Sequence, residues 1–346
     1  MKWSLTPARN FAAMAAQWAA LHARCAASPL LAADFIAPLI TEFGSGHEWI
    51  ASCEHEGRAV ALAVVVAKGR SAWTTFQPPQ APIGLWLQDP AVETAALLAT
   101  LLRALPGFPL IVSLTQCDPA LQPRPANGGC VGTLDYIDTA RITLGGGFDA
   151  YWQGRGKNLR ANLKKQRAKL DKDAIAVRIE MTRAPQAMAA AVADYGRLES
   201  AGWKARAGTA VDGANAQGRY YRAMLEAFCA RGAGCVYRYW FGEQLVAMDL
   251  CIEDERQVIV LKTTYDESVA NNLSPTLLMR EQACRQLFGE ARFERLEFYG
   301  KVMEWHTRWT EEIRTLYHVN YYRWPLLARL HAAWRARTLK ETHVPG

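Results

Sequence analysis

The sequence feature that most constrains the fold is an apolar strand that leads through a polar loop into a helix. Residues 257–264, QVIVLKTT, have strand-forming composition, and the loop after them ends in NNLSPTLL, residues 271–278. Ser274 is a favourable N-cap residue and Pro275 a favourable first helical residue, so we predict a helix that begins there and ends near Phe288, with Gly289 as its stop.

This predicted helix has no acidic residue in its first turn. The first turn of a helix carries unpaired N–H groups and the positive end of the helix dipole, which Asp or Glu often neutralises. Here Thr276, Leu277, Leu278, Met279 and Arg280 precede the first acidic residue, Glu281. We therefore predict that the start of the helix binds an anion from outside the chain.

Apolar periodicity divides the chain into two successive mixed α/β units. The Gly-rich stretch LGGGFDAY, residues 144–151, marks a hinge, so we predict domains over residues 1–145 and 146–346. In the first domain the predicted strands are residues 49–54, 59–67, 83–87, 110–114 and 136–144, with a helix over 92–105.

The second domain repeats this order of elements, which suggests an internal repeat. A basic helix over residues 155–172 is followed by a strand at 176–181, helices at 186–200 and 219–231, and a hairpin of strands 235–241 and 244–252. Strands at 295–299 and 313–322 follow the central strand and helix, with a short Trp-bearing helix between them.

Composition excludes several classes of protein. The longest apolar run, residues 59–67, is far shorter than the roughly 20 residues that cross a bilayer, and the Ala-rich N-terminus has the spacing of an amphipathic helix. The eight cysteines form no CxxC pair and the seven histidines show no ligand spacing. We expect a cytoplasmic protein with reduced thiols and no metal ion.

The net charge of +7 is concentrated in the basic helix, where residues 155–172 carry eight Lys or Arg and one Asp. Lys157, Arg160, Lys164 and Arg167 fall on one stripe, opposite a leucine stripe. The basic stripe is either a solvated face or a dock for the phosphates of a cofactor, an RNA or an acidic lipid or glycan. No aromatic residues interleave with it, and we expect no DNA partner.

The run of hairpin, strand, loop, helix and strand resembles the core of the GNAT superfamily. In that family acetyl-CoA lies along the first central strand and its pyrophosphate at the start of the helix. NNLSPTLL stands where many members have a Q/R-x-x-G-x-G/A pattern. The resemblance implies that the residues that bind acetyl-CoA are Leu261, Lys262, Thr263, Asn271, Asn272, Leu273, Ser274, Pro275 and Thr276.

A narrower resemblance covers the second half of the chain. NNLSPTLL is similar to the Ser-Pro-Gly-x-Leu-Leu loop of CelD-like (cellulose-biosynthesis type) acetyltransferases, with Thr276 at the Gly. LEFYGKVMEWHTRWT, residues 296–310, is similar to their D-F-x-x-G-x-x-x-Y-K-x-x-W run, with Gly300 one residue early. The acidic, Phe and Trp positions of that run are occupied here by Glu297, Phe298 and Trp309. Its Tyr and Lys positions are occupied by Trp305 and His306.

The basic helix and the strand after it resemble those of Fem-type peptidyltransferases, which contain two GNAT-like units in tandem. The implied fold is two such units, each a mixed, mostly antiparallel sheet flanked by helices. The first would frame the acceptor and the second would bind the acyl donor. The implied reaction moves an acyl group from acetyl-CoA to an amine or hydroxyl of a glycan, cell-envelope precursor or small metabolite.

Such a reaction needs a base, an acid and a group that polarises the thioester carbonyl. Asp249 and Glu297 are the candidate bases and Tyr265 and Tyr299 the candidate acids, while a backbone N–H at residues 261–263 can polarise the carbonyl. Each side chain also has a structural interpretation: the carboxylates can pair with Lys262 or Arg295, and the tyrosines can be core residues.

The loop over residues 198–221 is similar to the family's Trp-containing acceptor loop, so Trp203 and Lys204, with Trp305, are the predicted acceptor-binding residues. The C-terminal helix has Leu326, Leu327, Leu330 and Trp334 on one side; we favour packing of that side against the domain over contact with a membrane surface.

Two alternative functions stay open. One is a Fem-like transferase that takes its acyl group from aminoacyl-tRNA, which the basic helix favours. The other is a non-catalytic module in polysaccharide assembly, consistent with Thr276 in place of Gly. The sequence does not determine the acceptor or the oligomeric state.

Overall fold

The computed structural model describes residues 1–25, 27–201, 211–270 and 272–341. Contacts divide the chain into unit 1, Met1–Ile137 with Thr315–Gly346, and unit 2, Asp138–Arg314. The predicted boundary at residue 145 lies near this division, but residues 315–346 group with the first unit and not with the second. The physical reason is strand pairing, because residues 317–322 pair antiparallel with residues 111–117.

The described residues contain the following strands, numbered in chain order. They are β1 (Lys2–Pro7), β2 (Trp49–His55), β3 (Arg58–Ala67), β4 (Ala72–Thr75), β5 (Trp86–Gln88), β6 (Ile111–Cys117), β7 (Val131–Thr143), β8 (Val177–Thr182), β9 (Gly234–Phe241), β10 (Gln244–Glu253), β11 (Gln257–Tyr265), β12 (Arg295–Phe298) and β13 (Ile313–Tyr322).

The helices alternate with these strands. Along the described ranges of the chain, none is long and apolar enough to cross a membrane. The helices of the described residues are α1 (Phe11–Arg24), α2 (Ala33–Phe43), α3 (Thr94–Ala104), α4 (Phe148–Gln153), α5 (Lys157–Lys172), α6 (Met188–Ala201), α7 (Ala216–Ala230), α8 (Pro275–Glu290), α9 (Glu304–Thr307) and α10 (Pro325–Glu341).

Unit 1 is built on a sheet with the strand order β1-β2-β3-β4-β6-β13, and β5 pairs with β3. The pairs are antiparallel except β4 and β6, which run parallel. Helix α3 packs onto the sheet through Leu97, Leu98 and Leu101, which belong to the same buried cluster as Val65 and Val112. Unit 1 is therefore a mixed, mostly antiparallel sheet with helical cover.

Unit 2 is built on a sheet with the order β7-β12-β11-β10-β9-β8, in which the residues of β7 from 138 onward take part. Its pairs are antiparallel except β11 and β12, which run parallel. Helices α5 and α8 share a buried cluster with one face of this sheet. Helix α6 lies on the other face, where Glu199 pairs with Lys262 of β11.

The mixed α/β fold predicted from the sequence is confirmed, and most predicted elements lie within two or three residues of the observed ones. Two short strands, β1 and β4, were not predicted. The helix expected to stop at Gly289 continues to Glu290 and ends where Ala291 adopts a left-handed conformation, with φ of 49°.

The prediction that the apolar side of the C-terminal helix packs against the domain is wrong. Leu326, Leu330 and Trp334 of α10 are exposed, whereas Leu327 and His331 are partly buried. The Tyr322 hydroxyl and His331 Nδ1 lie 2.5 Å apart, and this contact sets the rotation of the helix about its axis. The helix therefore turns its large apolar side chains to solvent.

Candidate functional site

The central strand β11 contains a β-bulge. In its pairing with β10, Leu250 lies opposite Lys262 and Cys251 lies opposite Val260, so Leu261 is an extra residue. A bulge leaves its extra residue out of the ladder and moves the side chains beyond it to the other face of the sheet. As a result Lys262 reaches Glu199 of α6, and Thr263 reaches Arg280 of α8.

The strands β11 and β12 separate at the bulge. Their parallel pairing joins Gln257 to Arg295 and continues to Val260 and Phe298. There β12 ends, while β11 continues to Tyr265. Because a parallel partner stops where the neighbouring strand goes on, the end of β11 forms one wall of an open space.

A cavity of about 740 Å³ occupies this part of unit 2. Its walls come from the end of β11, the loop after it, the first turns of α8 and the segment after β12. The lining residues are Thr263, Tyr265, Asp266, Glu267, Val269, Leu273, Ser274, Pro275, Thr276, Leu277, Arg280, Trp305 and Trp309.

Helix α8 opens into this cavity with an uncommon N-terminus. Ser274 occupies the N-cap position, but its side chain makes no capping hydrogen bond, and the first turn has no acidic residue. The Ser274 N–H donates to Gln166 Oε1 at 2.7 Å. The N–H groups of Leu277 and Leu278 donate to the Ser274 carbonyl, so within the described ranges only Thr276 N–H lacks an acceptor at this helix start.

A buried cation forms the floor of the cavity. Arg280 is 4% exposed and its Nη2 lies 2.7 Å from Asp249 Oδ2, which is fully buried on β10. Thr263 Oγ1 donates to the other Asp249 oxygen at 2.5 Å, and the Arg280 guanidinium stacks over Phe298 with 5.1 Å to the ring centre. Burial raises the pKa of Asp249, against the opposing effects of Arg280 and Thr263.

Asp249 therefore holds Arg280 in place instead of facing a substrate. The structural interpretation in which it pairs with Lys262 is also wrong, because the bulge turns Lys262 to the opposite face of the sheet. There its Nζ lies 3.3 Å from Glu199 and 5.6 Å from the ring centres of Tyr195 and Tyr221.

Glu297 and Tyr299 lie outside the lining of the cavity. Glu297 is buried on β12 and its Oε2 lies 2.8 Å from Arg314 Nη1, so its partner is Arg314 and not Arg295. The same guanidinium lies over the Tyr299 ring, 5.2 Å from its centre. These three residues form a buried cluster outside the lining of the cavity.

The structure brings the other predicted site residues together. Thr263, Leu273, Ser274, Pro275 and Thr276 line the cavity, as do Tyr265 and Trp305. Leu261, Lys262 and Asn272 do not. Asn271, Trp203 and Lys204 lie outside the described residues.

The segment after β12 closes one side of the cavity with stacked rings. Trp305 stacks on His306 with ring centres 3.5 Å apart, and Trp152 stacks on Trp309 at 5.8 Å. Burial lowers the pKa of His306 to about 4, and its Nδ1 accepts a hydrogen bond from Met303 N–H, which only an unprotonated ring nitrogen can do. His306 is therefore neutral at neutral pH.

The basic helix α5 supports the loop through one side chain. Leu159, Leu163, Leu170 and Gln166 are its buried residues, so Gln166 replaces a leucine on the packed stripe and holds Ser274. Lys157, Lys164, Lys165 and Lys172 are exposed, while Arg167 pairs with the buried Glu281.

Sequence analysis missed Arg280, Gln166 and Trp309 as site residues. A signal for Arg280 was present, since it lies on the same helical stripe as Leu277 and Cys284, and a charge in a buried stripe requires a buried partner. Gln166 carried a similar signal on the leucine stripe of α5.

Comparison with protein families matches residues 157–307 to the acetyltransferase (GNAT) domain. No curated protein matches the chain by sequence. Among the described residues, no group of three or more His, Cys, Asp or Glu is placed to hold a metal ion.

Comparison with solved structures finds the same fold in distant sequences. The C-terminal domain of a protein described as a lysylphosphatidylglycerol synthetase from Agrobacterium fabrum is 12% identical, with a TM-score of 0.56, and the match covers 93% of this chain and 95% of that one. FemX is 8% identical with a TM-score of 0.56, over 95% of this chain and 99% of that chain.

A protein of unknown function from Bacteroides thetaiotaomicron is 11% identical with a TM-score of 0.53, over 88% and 96% of the two chains. At such identities the likeness concerns the fold alone. The family match covers α5 to α9, so the segment of residues 157–307 is similar to the acetyltransferase (GNAT) domain.

Proposed function

We propose that unit 2 is an acyltransferase that takes its acyl group from acetyl-CoA in the cavity at the end of β11. The observation that carries the proposal is the cavity itself, because it joins an open strand edge to a helix start with no acid in its first turn. Thr276 N–H and the guanidinium of Arg280 supply positive charge for the pyrophosphate or for charge formed in the reaction.

The donor would lie along Thr263 and Tyr265 and reach the start of α8 at Ser274 and Thr276. A bound thioester supplies an activated acyl carbonyl. A backbone N–H of the bulged segment, residues 261–263, of which Thr263 lines the cavity, would donate to that carbonyl oxygen. Transfer forms a bond from the acceptor nitrogen or oxygen to the acyl carbon and breaks the carbon–sulfur bond.

Tyr265 is the candidate acid of the proposed reaction. It is 45% exposed and lines the cavity, whereas Tyr299 is buried beside Arg314. Its hydroxyl can give a proton to the departing thiolate.

The carboxylates that line the cavity are Asp266 and Glu267 instead of Asp249 and Glu297. Burial alone would raise the pKa of Asp266, but hydrogen bonds from Ser268 and Gln244 outweigh it and hold that pKa below its ordinary value. Asp266 is therefore a weak base, and we assign Glu267 the role of accepting the acceptor's proton. The acceptor is an amine or a hydroxyl, and a glycan or cell-envelope precursor is the class that the CelD-like resemblance suggests.

The test is thermal unfolding with and without acetyl-CoA. A ligand that binds the folded state at 100 times its Kd stabilises it by about 2.7 kcal/mol, so the Tm should rise with ligand concentration. Pantetheine, which lacks the pyrophosphate, should give a much smaller shift. An unchanged Tm at millimolar acetyl-CoA contradicts the proposal and favours the non-catalytic module.

Catalysis is tested separately by Tyr265→Phe. We expect acetyl-CoA to raise the Tm of this variant as in the wild type. The rate of acyl transfer, measured with an acceptor that the wild type acylates, should fall by about 10²-fold or more. Tyr136→Phe is a matched control, since Tyr136 is an exposed tyrosine of unit 1. If Tyr265→Phe and the wild type transfer the acyl group at equal rates, Tyr265 is not the acid.

A Fem-like transferase that takes its acyl group from aminoacyl-tRNA is the second candidate, and the exposed lysines of α5 favour it. Binding to tRNA through these lysines would weaken steeply with salt, because each phosphate contact releases counterions. If tRNA binds with a steep salt slope that Lys164→Gln/Lys165→Gln lowers, and acetyl-CoA leaves the Tm unchanged, this candidate replaces the first.

A further inference from the structure

The largest exposed apolar side chains of unit 1 come together at the C-terminal helix α10. Leu326, Leu330 and Trp334 are 63%, 57% and 61% exposed, and they follow one another at the four-residue spacing of a single helix face. Trp324 immediately precedes the helix and Phe108 lies beside it, with 6.0 Å between their ring centres. We call these five side chains the α10 patch.

Contacts on the opposite face of α10 keep the patch exposed. Among the described residues, the four most exposed large apolar side chains all belong to it, since Phe108 is 59% exposed. The other face of α10 is held at Tyr322, which contacts His331, and the chain before the helix is held by Arg323, which donates to Pro109 O at 2.7 Å. The patch therefore faces solvent on a helix whose rotation is fixed.

The charges around the patch are basic. Residues 323–335 contain Arg323, Arg329 and Arg335 and no acidic residue. Arg329 is exposed on the same face as Leu326 and Leu330, and the Arg323 guanidinium lies 4.0 Å from the centre of the Phe108 ring. An apolar face of Leu, Phe and Trp with arginines at its border is the composition of helices that lie in the surface of an anionic membrane.

We propose that the α10 patch docks unit 1 onto an anionic lipid membrane surface. The leucines, Phe108 and the tryptophans enter the boundary between headgroups and acyl chains, and the arginines contact lipid phosphates. An anionic lipid surface fits the patch better than a second copy of this chain, because the arginines of two facing copies would repel each other. This proposal stands independently of the function of the cavity.

The experiment is sedimentation of the full chain with vesicles. We expect binding to vesicles of phosphatidylcholine mixed with phosphatidylglycerol, weaker binding to phosphatidylcholine alone, and a decrease as salt rises. Leu326→Gln/Leu330→Gln/Trp334→Gln should lower the partition into mixed vesicles by at least about tenfold, because each change removes apolar area from the membrane contact. The single variant Arg329→Glu should lower it severalfold.

Leu121→Gln is the matched control, since Leu121 is an exposed leucine of unit 1 outside the patch, and it should bind vesicles as the wild type does. The triple variant should keep the Tm of the wild type and its shift with acetyl-CoA, so a failed vesicle result is distinguishable from a failed donor site. Absence of wild-type binding, equal binding to neutral vesicles, or unchanged binding of the triple variant overturns the proposal. So does a dimer by light scattering that the triple variant converts to a monomer without any vesicle binding.

Discussion

Among the described residues, each unit contains one parallel pair of strands, and the two pairs end differently. In unit 1, β4 and β6 run parallel from Ala72 and Ile111 to Thr74 and Ser113. In unit 2, β11 and β12 run parallel and then separate at the cavity. Because the same pairing leads to two outcomes, the difference must come from the side chains that follow each pair.

In unit 1 the residues just after the pair are joined by side-chain hydrogen bonds. Thr75 Oγ1 and Thr115 Oγ1 lie 2.6 Å apart, and Thr115 Oγ1 donates to Gln77 Oε1 at 2.7 Å. Gly84 also fits against this point, where an added Cβ would lie 2.2 Å from the Thr115 carbonyl oxygen. Hydrogen bonds between neutral groups occupy the region where unit 2 has its cavity.

Unit 2 has buried charged groups in the wall of its cavity and beside it. Arg280 with Asp249 and Arg314 with Glu297 are ion pairs whose partners are both largely buried. In unit 1 the pairs Arg58 with Asp89 and Arg124 with Asp135 have exposed arginines. Burying a charge pair is unfavourable unless its geometry is good, so the pair of Arg280 with Asp249, whose Arg280 lines the cavity, indicates a site and not a contribution to stability.

The largest effect should come from Arg280→Met, which leaves Asp249 buried without its cation. We expect a loss of about 3 to 5 kcal/mol in the free energy of unfolding, whereas Arg58→Met in unit 1 should cost under about 1 kcal/mol. Denaturant unfolding followed by tryptophan fluorescence measures both. The double variant Asp249→Leu/Arg280→Met should recover most of the loss, and equal effects at Arg280 and Arg58 would erase the contrast between the units.

The next effect is a pH dependence beside the cavity. The pKa of His306 is about 4 in the folded protein against an ordinary 6.5. The unfolded chain therefore binds the proton first, and the stability that neutral His306 gives is complete above pH 6.5 and lost as pH falls to 4, by up to about 3 kcal/mol. His306→Asn removes the titration, so the stability difference between wild type and variant should shrink over that window; a constant difference would contradict the burial effect.

A smaller effect compares the two helices that follow the first strand of each parallel pair. Thr276→Glu and Ala95→Glu place an acid at the second position of α8 and α3. Both should leave stability unchanged or raise it by a few tenths of a kcal/mol through the dipole. Only Thr276→Glu should weaken the binding of acetyl-CoA, by about tenfold in Kd or 1.4 kcal/mol, as measured by calorimetric titration. Equal affinities would place the donor away from α8.

The last comparison separates two threonines. Thr115→Val and Thr263→Val each remove side-chain hydrogen bonds and should each cost about 1 to 2 kcal/mol of stability. Thr263 lines the cavity and Thr115 does not, so only Thr263→Val should also change the affinity for acetyl-CoA, measured by the same titration. A change in both variants would mean that unit 1 takes part in donor binding.

Much of the fold was predictable because its signals are local. The period-two apolar runs located β2, β3, β10 and β11, and the Ser-Pro dipeptide located the start of α8 to the residue. β1 and β4 were missed, although β8 and β12, which are equally short, were located. The order of strand, loop and helix predicted where the cavity lies. It did not predict which candidate side chains line it, because only the surroundings in the fold separate Tyr265, which lines the cavity, from Asp249 and Glu297, which do not.

The sequence by itself determined that a strand would feed an acid-free helix start at Ser274 and Pro275, that a basic helix would precede it, and that two mixed units would follow each other. Tertiary structure alone decided that Leu261 is a bulge residue, that Asp249 pairs with Arg280 outside the lining of the cavity, and that the apolar side of α10 faces solvent. Composition and spacing report local conformation, whereas a one-residue change in pairing register or a rotation of a helix depends on contacts between distant segments.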